Sequence, residues 1–239
     1  MNLPRTGDFI DIHIHDGSPS PGIFLLQSLM AHEVKQPVVS PGIAYTIGIH
    51  PWFLNSDNLT GQFTSVRNLA LHPEIIAIGE AGFDRLRGPS AEIQRKAFEE
   101  QISLSEEISK PVIIHCVRAW DELLAVNKKL KPKMSWMIHG FRGHPTLANQ
   151  LLSKGMYLSF WFDFVIRPES SNLLQQLPVD RIFLETDGAD VNIQDIYSKV
   201  AFDLNLTVDD LKSRILKNFN EFFEKSNQVL PVLPPAPLI

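Results

Sequence analysis

Eight short apolar runs, six of them closed by a His, Glu or Asp, constrain the fold more than any other feature of this chain. They are Phe9–His15, Ile23–Met30, Tyr45–His50, Ile75–Glu80, Val112–His115, Ser135–His139, Met156–Phe160 and Ile182–Asp187. Runs this short and apolar read as buried strands, and helical stretches follow most of them. That order predicts an α/β fold, a (β/α)8 TIM-type barrel of parallel strands rather than a sandwich. At 239 residues, the chain is expected to be a single barrel domain over 1–239, since such barrels typically take about 250 residues. Two helices carry boundary signals. The stretch 91–109 has Ser90 as its N-cap, Pro111 beyond its end, and Ile93, Ala97, Leu104 and Ile108 on one face. The stretch 208–226 starts at Thr207, with Asp210 placed for a capping box. Between His15 and Gly48 there is little room for two helices, so the barrel should be loop-rich and helix-poor between strands 1 and 3. The Pro-rich tail 231–239 is expected to be extended.

The polar residues fall where chemistry would need them. Side chains two apart on a strand point the same way, so His13 and His15 share the barrel's interior face, while Ile12 and Ile14 face the helices. The same alternation pairs Glu185 with Asp187. In (β/α)8 enzymes the catalytic groups come from the C-terminal ends of several strands. Here His13, His15, Glu80, His115, His139 and Asp187 all take that position. A lone His-x-His is weak evidence for a ligand, but four histidines at strand ends are hard to reach by chance. Four imidazoles and two carboxylates can hold two divalent ions if one carboxylate bridges. The donor types suit Zn, Mn or Fe, with Mg less natural beside four histidines. Asp11 faces inward but deeper, and with Glu185 is expected to orient neighbours rather than bind metal. His50, just before Pro51, is divided between a structural and a substrate role, and Asp84 is read as holding the Arg85–Arg87 loop. His32, His72 and His144 read as ordinary loop histidines, and Cys116 as outward-facing and inert.

At this level the residues resemble a known family. Asp11-Ile-His-Ile-His15, Gly48-Ile-His-Pro-Trp52, Ala77-Ile-Gly-Glu-Ala-Gly-Phe-Asp84, Pro111-Val-Ile-Ile-His115, Ile138-His-Gly-Phe-Arg-Gly143 and Leu184-Glu-Thr-Asp187 are similar in order and spacing to the TatD family of metal-dependent hydrolases. The match spans 11–187, and Asn218–Phe223 resembles the family's closing helix. The resemblance implies a barrel hydrolase, often a deoxyribonuclease. It implies one metal on His13, His15, Glu80 and Asp187, and the other on Glu80, His115 and His139. Glu80 would then bridge, and Asp187 would be the general base that takes a proton from the attacking water. The chain departs from the family in its short segment between His15 and Gly48. It also has Gly140-Phe-Arg-Gly143 for Cys-Phe-Ser-Gly, Thr186-Asp-Gly-Ala189 for Thr-Asp-Ala-Pro, and Arg85 for a Tyr. These departures touch the substrate-facing loops and spare the ligands.

Charge and motif content narrow the function. A net charge of −5 and a pI near 5.9 argue against non-specific coating of nucleic acid, which needs many phosphate-neutralising Lys and Arg. Five arginines (Arg85, Arg87, Arg118, Arg142 and Arg167) nevertheless follow strands 4 to 7, with no lysine among them, and Arg offers a planar fork for phosphate oxygens. Arg118 and Arg142 are the expected phosphate grips, weighed against ordinary surface ion pairs. Trp52, Trp120, Phe141 and Trp161 are candidates for stacking bases. No nucleotide-binding loop occurs, so no nucleotide cofactor is expected. No apolar run suits a membrane span. A single cysteine and an N-terminus without a signal-peptide pattern point to the cytoplasm. The leading reading is phosphodiester hydrolysis, with DNA as the partner. The alternatives are a small-molecule amide, lactone or ester hydrolase on the same barrel, and an inactive metal-binding scaffold.

Overall fold

Eight parallel strands form one sheet in sequential order: β1 (Phe9–Ile14), β2 (Ile23–Met30), β3 (Ile43–Gly48), β4 (Ile75–Asp84), β5 (Val112–Val117), β6 (Trp136–Ile138), β7 (Tyr157–Trp161) and β8 (Ile182–Glu185). The computed structural model describes residues 2–33, 35–54 and 56–224. The helices are α1 (Leu59–Ala70), α2 (Ala91–Ile108), α3 (Trp120–Leu130), α4 (Pro145–Leu152), α5 (Phe162–Val165), α6 (Pro168–Gln176), α7 (Ile193–Asp203) and α8 (Val208–Glu224). Among the described residues, no helix intervenes between β1 and β2 or between β2 and β3, in line with the short segment between His15 and Gly48. The sheet curls into a nearly closed barrel. Its seam, between β8 and β1, is held by the backbone N–H of Asp187 donating to the His13 carbonyl at 3.2 Å. Asp11 adds a side-chain stitch there, accepting from the Thr186 N–H at 3.0 Å and the Thr186 hydroxyl at 2.6 Å.

Every residue of β4 is buried, because α1 and α2 cover its outside and the lumen its inside. At the barrel's other end α8 brings Phe219 against Phe24 (5.3 Å between centroids) and Phe222 against Tyr157 (5.2 Å) and Phe183 (5.9 Å). Those three residues begin β2, β7 and β8, so α8 packs on the N-terminal rims of the strands, away from the polar ends. Thr207 caps α8 by accepting from the Asp210 N–H at 3.0 Å. The Asp210 carboxylate takes the Thr207 hydroxyl rather than its backbone N–H. Ser90 precedes α2 without a side-chain cap bond, against expectation. Helix 208–226 was expected to run two residues past Glu224, and those residues and the tail 231–239 lie outside the described residues. Among the described residues, no helix is long and apolar enough to cross a membrane.

Two close approaches set the spacing of β4 from its neighbours. A Cβ on Gly48 would sit 2.5 Å from the Glu80 carbonyl oxygen, and one on Gly82, whose φ is 146°, would sit 2.0 Å from the His115 carbonyl oxygen. Only glycine lets β3 and β5 close on β4 at the level of the polar cluster. Replacing Gly82 with Ala should therefore push β5 away at His115 and destabilise the protein by about 1–3 kcal/mol. Chemical denaturation of the variant beside the parent protein measures it, and an unchanged midpoint would show that the contact relaxes without cost.

Candidate metal centre

One buried carboxylate organises the site. The register of β4 against β5 slips by one residue between Ile78 and Ala81, a bulge that re-aims the side chain of Glu80 into the barrel mouth. Its Oε1 lies 2.8 Å from His115 Nδ1, 2.8 Å from His139 Nε2 and 3.0 Å from His50 Nε2. Its Oε2 lies 3.3 Å from His13 Nε2 and 3.8 Å from His15 Nε2. Asp187 Oδ1 stands 3.3 Å from His15 Nε2 and 3.7 Å from His13 Nε2. The structure thus brings together all six residues that sequence reasoning named as ligands, and adds His50.

Asp187 arrives by a different route from the one expected. β8 ends at Glu185, and Asp187 has a left-handed backbone with φ of 54°. Simple strand alternation does not place it, and the turn made by the Ala189 N–H donating to the Thr186 carbonyl does. Glu185 stays behind, fully buried. It receives the Ser159 hydroxyl at 2.5 Å and lies 3.4 Å from His139 Nδ1, so it orients the His139 ring. Asp84 also does more than hold its loop. Its Oδ1 accepts from the Leu86 and Arg87 N–H groups at 2.7 and 3.1 Å. Its Oδ2 takes the Trp52 indole N–H at 2.5 Å and lies 3.1 Å from His115 Nε2. Burial would raise the Asp84 carboxyl, but the bonds from Trp52, His115 and Leu86 hold it below its usual range. His115 therefore donates from Nε2 and turns Nδ1 toward Glu80.

The donor set fits divalent cations. His13 Nδ1 and Nε2, Glu80 Oε2 and Asp187 Oδ1 are buried with no hydrogen bond in the structure, and burying such atoms unpaired is costly. Three groups bring their donor atoms within 4.8 Å of one another: His13 with His15 and Asp187, His13 with Glu80 and His139, and His50 with Glu80 and His115. Two ligands each about 2.1 Å from a shared ion lie roughly 3–3.4 Å apart; the separations here run from 2.8 to 3.8 Å and bracket that range. His50 is the member that sequence reasoning left undecided. Its Nδ1 accepts the Trp52 backbone N–H at 3.1 Å, so its Nε2 carries a proton toward Glu80. That makes it a hydrogen-bond donor to the cluster in this arrangement.

Burial alone would raise the Glu80 carboxyl, but the surrounding imidazoles, His139 and His115 foremost, hold it well below the ordinary range. Burial would lower His139, yet Glu80 and Glu185 push it well above an ordinary imidazole. The Asp187 carboxylate beside it raises His15, whereas burial lowers His50. Burial pushes Asp11 up to about 7 in spite of its two bonds from Thr186. Imidazole ligates only through a free lone pair, so protons held on His139 and His15 before any cation binds must leave when one does. Titrating the protein with Zn2+ near pH 7 in buffers of different ionisation enthalpy should show net proton release, shrinking as pH rises above the elevated histidine values. Calorimetry showing no release at pH 7 would contradict this account.

The rim residues divide. Arg85 is spent on Asp121 and Glu122 at 2.8 and 2.6 Å, and Arg167 on Asp163 at 2.6 Å. Arg142 lies over the Trp161 ring at 4.6 Å and 3.7 Å from Asp163. Arg118 is exposed, with a left-handed φ of 51° and no ion-pair partner among the described residues. Arg87 covers the Trp52 ring at 3.7 Å. Phe141 is 1% exposed and packs between Trp120 and Phe160, which removes it from the stacking candidates. His72 and His144 cap local turns, accepting from the Glu74 and Thr146 N–H groups. Cys116 is buried, and burial pushes its thiol up.

Fold and site together define a parallel β/α barrel with a histidine–carboxylate cluster suited to divalent cations at the C-terminal ends of its strands. The family described as TatD related DNase matches residues 27–224, and the chain belongs to that family. It is 35% identical over 163 residues to a 3'-5' ssDNA/RNA exonuclease TatD of Pantoea vagans, covering 66% of this chain and 62% of that protein. It is 33% identical over 149 residues to the protein of the same name from Erwinia tasmaniensis, covering 60% of this chain and 57% of that protein. The chain thus spans about six-tenths of the length of these curated relatives. A hydrolase TatD family protein from Entamoeba histolytica has the same fold, with a TM-score of 0.76 at 18% identity over 91% of this chain and 98% of that one.

Proposed function

We propose that this protein hydrolyses phosphodiester bonds of single-stranded nucleic acid at a centre of two divalent cations. The observation that carries the reading is the convergence of five imidazoles on Glu80, with Asp187 facing two of them and several donor atoms buried and unpaired. His13, His15 and Asp187 with Glu80 would hold one cation, and Glu80, His115 and His139 the other. Bound there, the cations would supply Lewis acidity toward a phosphoryl oxygen and a nucleophilic water at neutral pH. Asp187, with 24% of its side chain exposed at the mouth, takes the proton of the attacking water. Burial would raise its carboxyl, but the imidazoles of His15, His139 and His13 nearby hold it below its usual range. Glu185 and Asp84 keep the His139 and His115 rings from turning. Arg118 and Arg142 at the rim suit phosphate oxygens on either side of the cleaved bond. The names of the curated relatives, 3'-5' ssDNA/RNA exonucleases, support the choice of single strands.

Protein purified without added metal and then loaded with Zn2+ or Mn2+ should bind two ions and cleave single-stranded oligonucleotides, with cleavage lost on chelation. Replacing Glu80 with Gln should lower kcat/KM by more than about 100-fold, since even outer-shell partners of metal ligands are worth 10–100-fold. Elemental analysis of the same variant should show less bound metal. Cleavage of amides or esters alone by the loaded protein would move it to the small-molecule hydrolases, and no turnover at full loading would make it a scaffold.

A further inference from the structure

The geometry points to a nucleobase-stacking platform formed by Phe53 and His32, one ring beyond His50 on the rim of the metal centre. The inference rests on the nucleic-acid reading above and names the group that would seat the base flanking the cleaved bond. After β3, Pro51 starts a single 3-10 turn over 51–53 whose N-cap is His50. That turn carries the chain directly from the buried cluster to solvent. His50 is 4% exposed, whereas Trp52 is 37% and Phe53 41% exposed. The ring centroids step outward, 4.4 Å from His115 to His50, 5.6 Å from His50 to Phe53, and 4.1 Å from Phe53 to His32. The last pair is stacked at an interplanar angle of 29°, so a flat ring on Phe53 is already accommodated, and the exposed His32 ring continues the stack into solvent.

Trp52 is not the stacking face. Arg87 covers its ring, and its indole N–H is committed to Asp84. The Phe53 backbone is bonded to His50 and Gln62, which fixes the turn, and among the described residues no side-chain hydrogen bond or ion pair holds the His32 ring. A large aromatic ring this exposed is held on the rim by the turn that the core needs for His50. Stacking on aromatic rings is how proteins hold single strands regardless of sequence, because every base has a π-face.

The test compares the parent protein, Phe53→Leu and His32→Ala on two metal-loaded assays. One uses an ordinary single-stranded oligonucleotide, the other the same strand with an abasic residue next to the cleaved bond. Phe53→Leu should raise KM for the ordinary strand about tenfold, within the range measured for losing one stacked base, with kcat little changed. His32→Ala should raise it in the same direction by less. Neither variant should change KM for the abasic strand. Unchanged KM on the ordinary strand for both variants overturns the platform, as does an equal loss on both strands, which would mean that the His50 turn has loosened. A parent protein that cleaves neither strand when loaded would instead remove the nuclease reading on which the platform stands.

Discussion

A carboxylate with no solvent around it and five imidazoles within 4 Å is an arrangement that only a closed scaffold can hold. Glu80 is 1% exposed, and the histidines about it come from β1, β5 and the segments after β1, β3 and β6. Burial penalises the charged forms of Glu80, His15, His50 and His139. What makes the arrangement stable is that the groups offset one another, the carboxylate favouring protonated imidazoles and the imidazoles favouring an ionised carboxylate. The backbone is shaped around this pairing. The β4 bulge turns Glu80 inward, and Gly48 and Gly82 let the flanking strands approach without side chains in the way. Asp84 and Glu185, each buried, then fix the outer nitrogens of His115 and His139.

Much of this was legible in the chain because a barrel imposes two simple rules: strands are short and apolar, and reactive groups sit at their C-terminal ends. All eight runs became strands, and the segment between His15 and Gly48 lacks helices because it is too short to hold them. Alternation placed His13 and His15 correctly. It did not explain Asp187, which leaves the strand and reaches the cluster through a left-handed turn, a conformation with little sequence signal at an Asp. His50 was undecided for a related reason. It lies past the end of β3, and only the fold shows that the turn before Pro51 bends back over Glu80. The Gly-Ile-His-Pro run was the available signal.

The rim shows why residue type alone misleads outside the core. Five arginines follow strands 4 to 7, yet three of them are tied to acidic neighbours on the helices that begin there, Arg85 and Arg167 closely and Arg142 at 3.7 Å. Such exposed pairs add little stability, but the close ones take the guanidinium out of play. Phe141 was an attractive stacking surface in sequence because it stands two residues past His139, and it is instead part of the core beneath Trp120. His32, which reads as an ordinary loop histidine, turns out to stand on Phe53. Side-chain destination beyond a strand end depends on loop geometry, which periodicity does not encode.

The seam between β8 and β1 carries a consequence for how the protein comes to be active. Asp11 and Thr186, which stitch it, are 175 positions apart, and the same seam sets Asp187 beside His13 and His15. A nascent chain that has released only its first seven strands therefore holds the two histidines without Asp187, the carboxylate that faces both. The group of His13, His15 and Asp187 can assemble only once the last strand docks against the first.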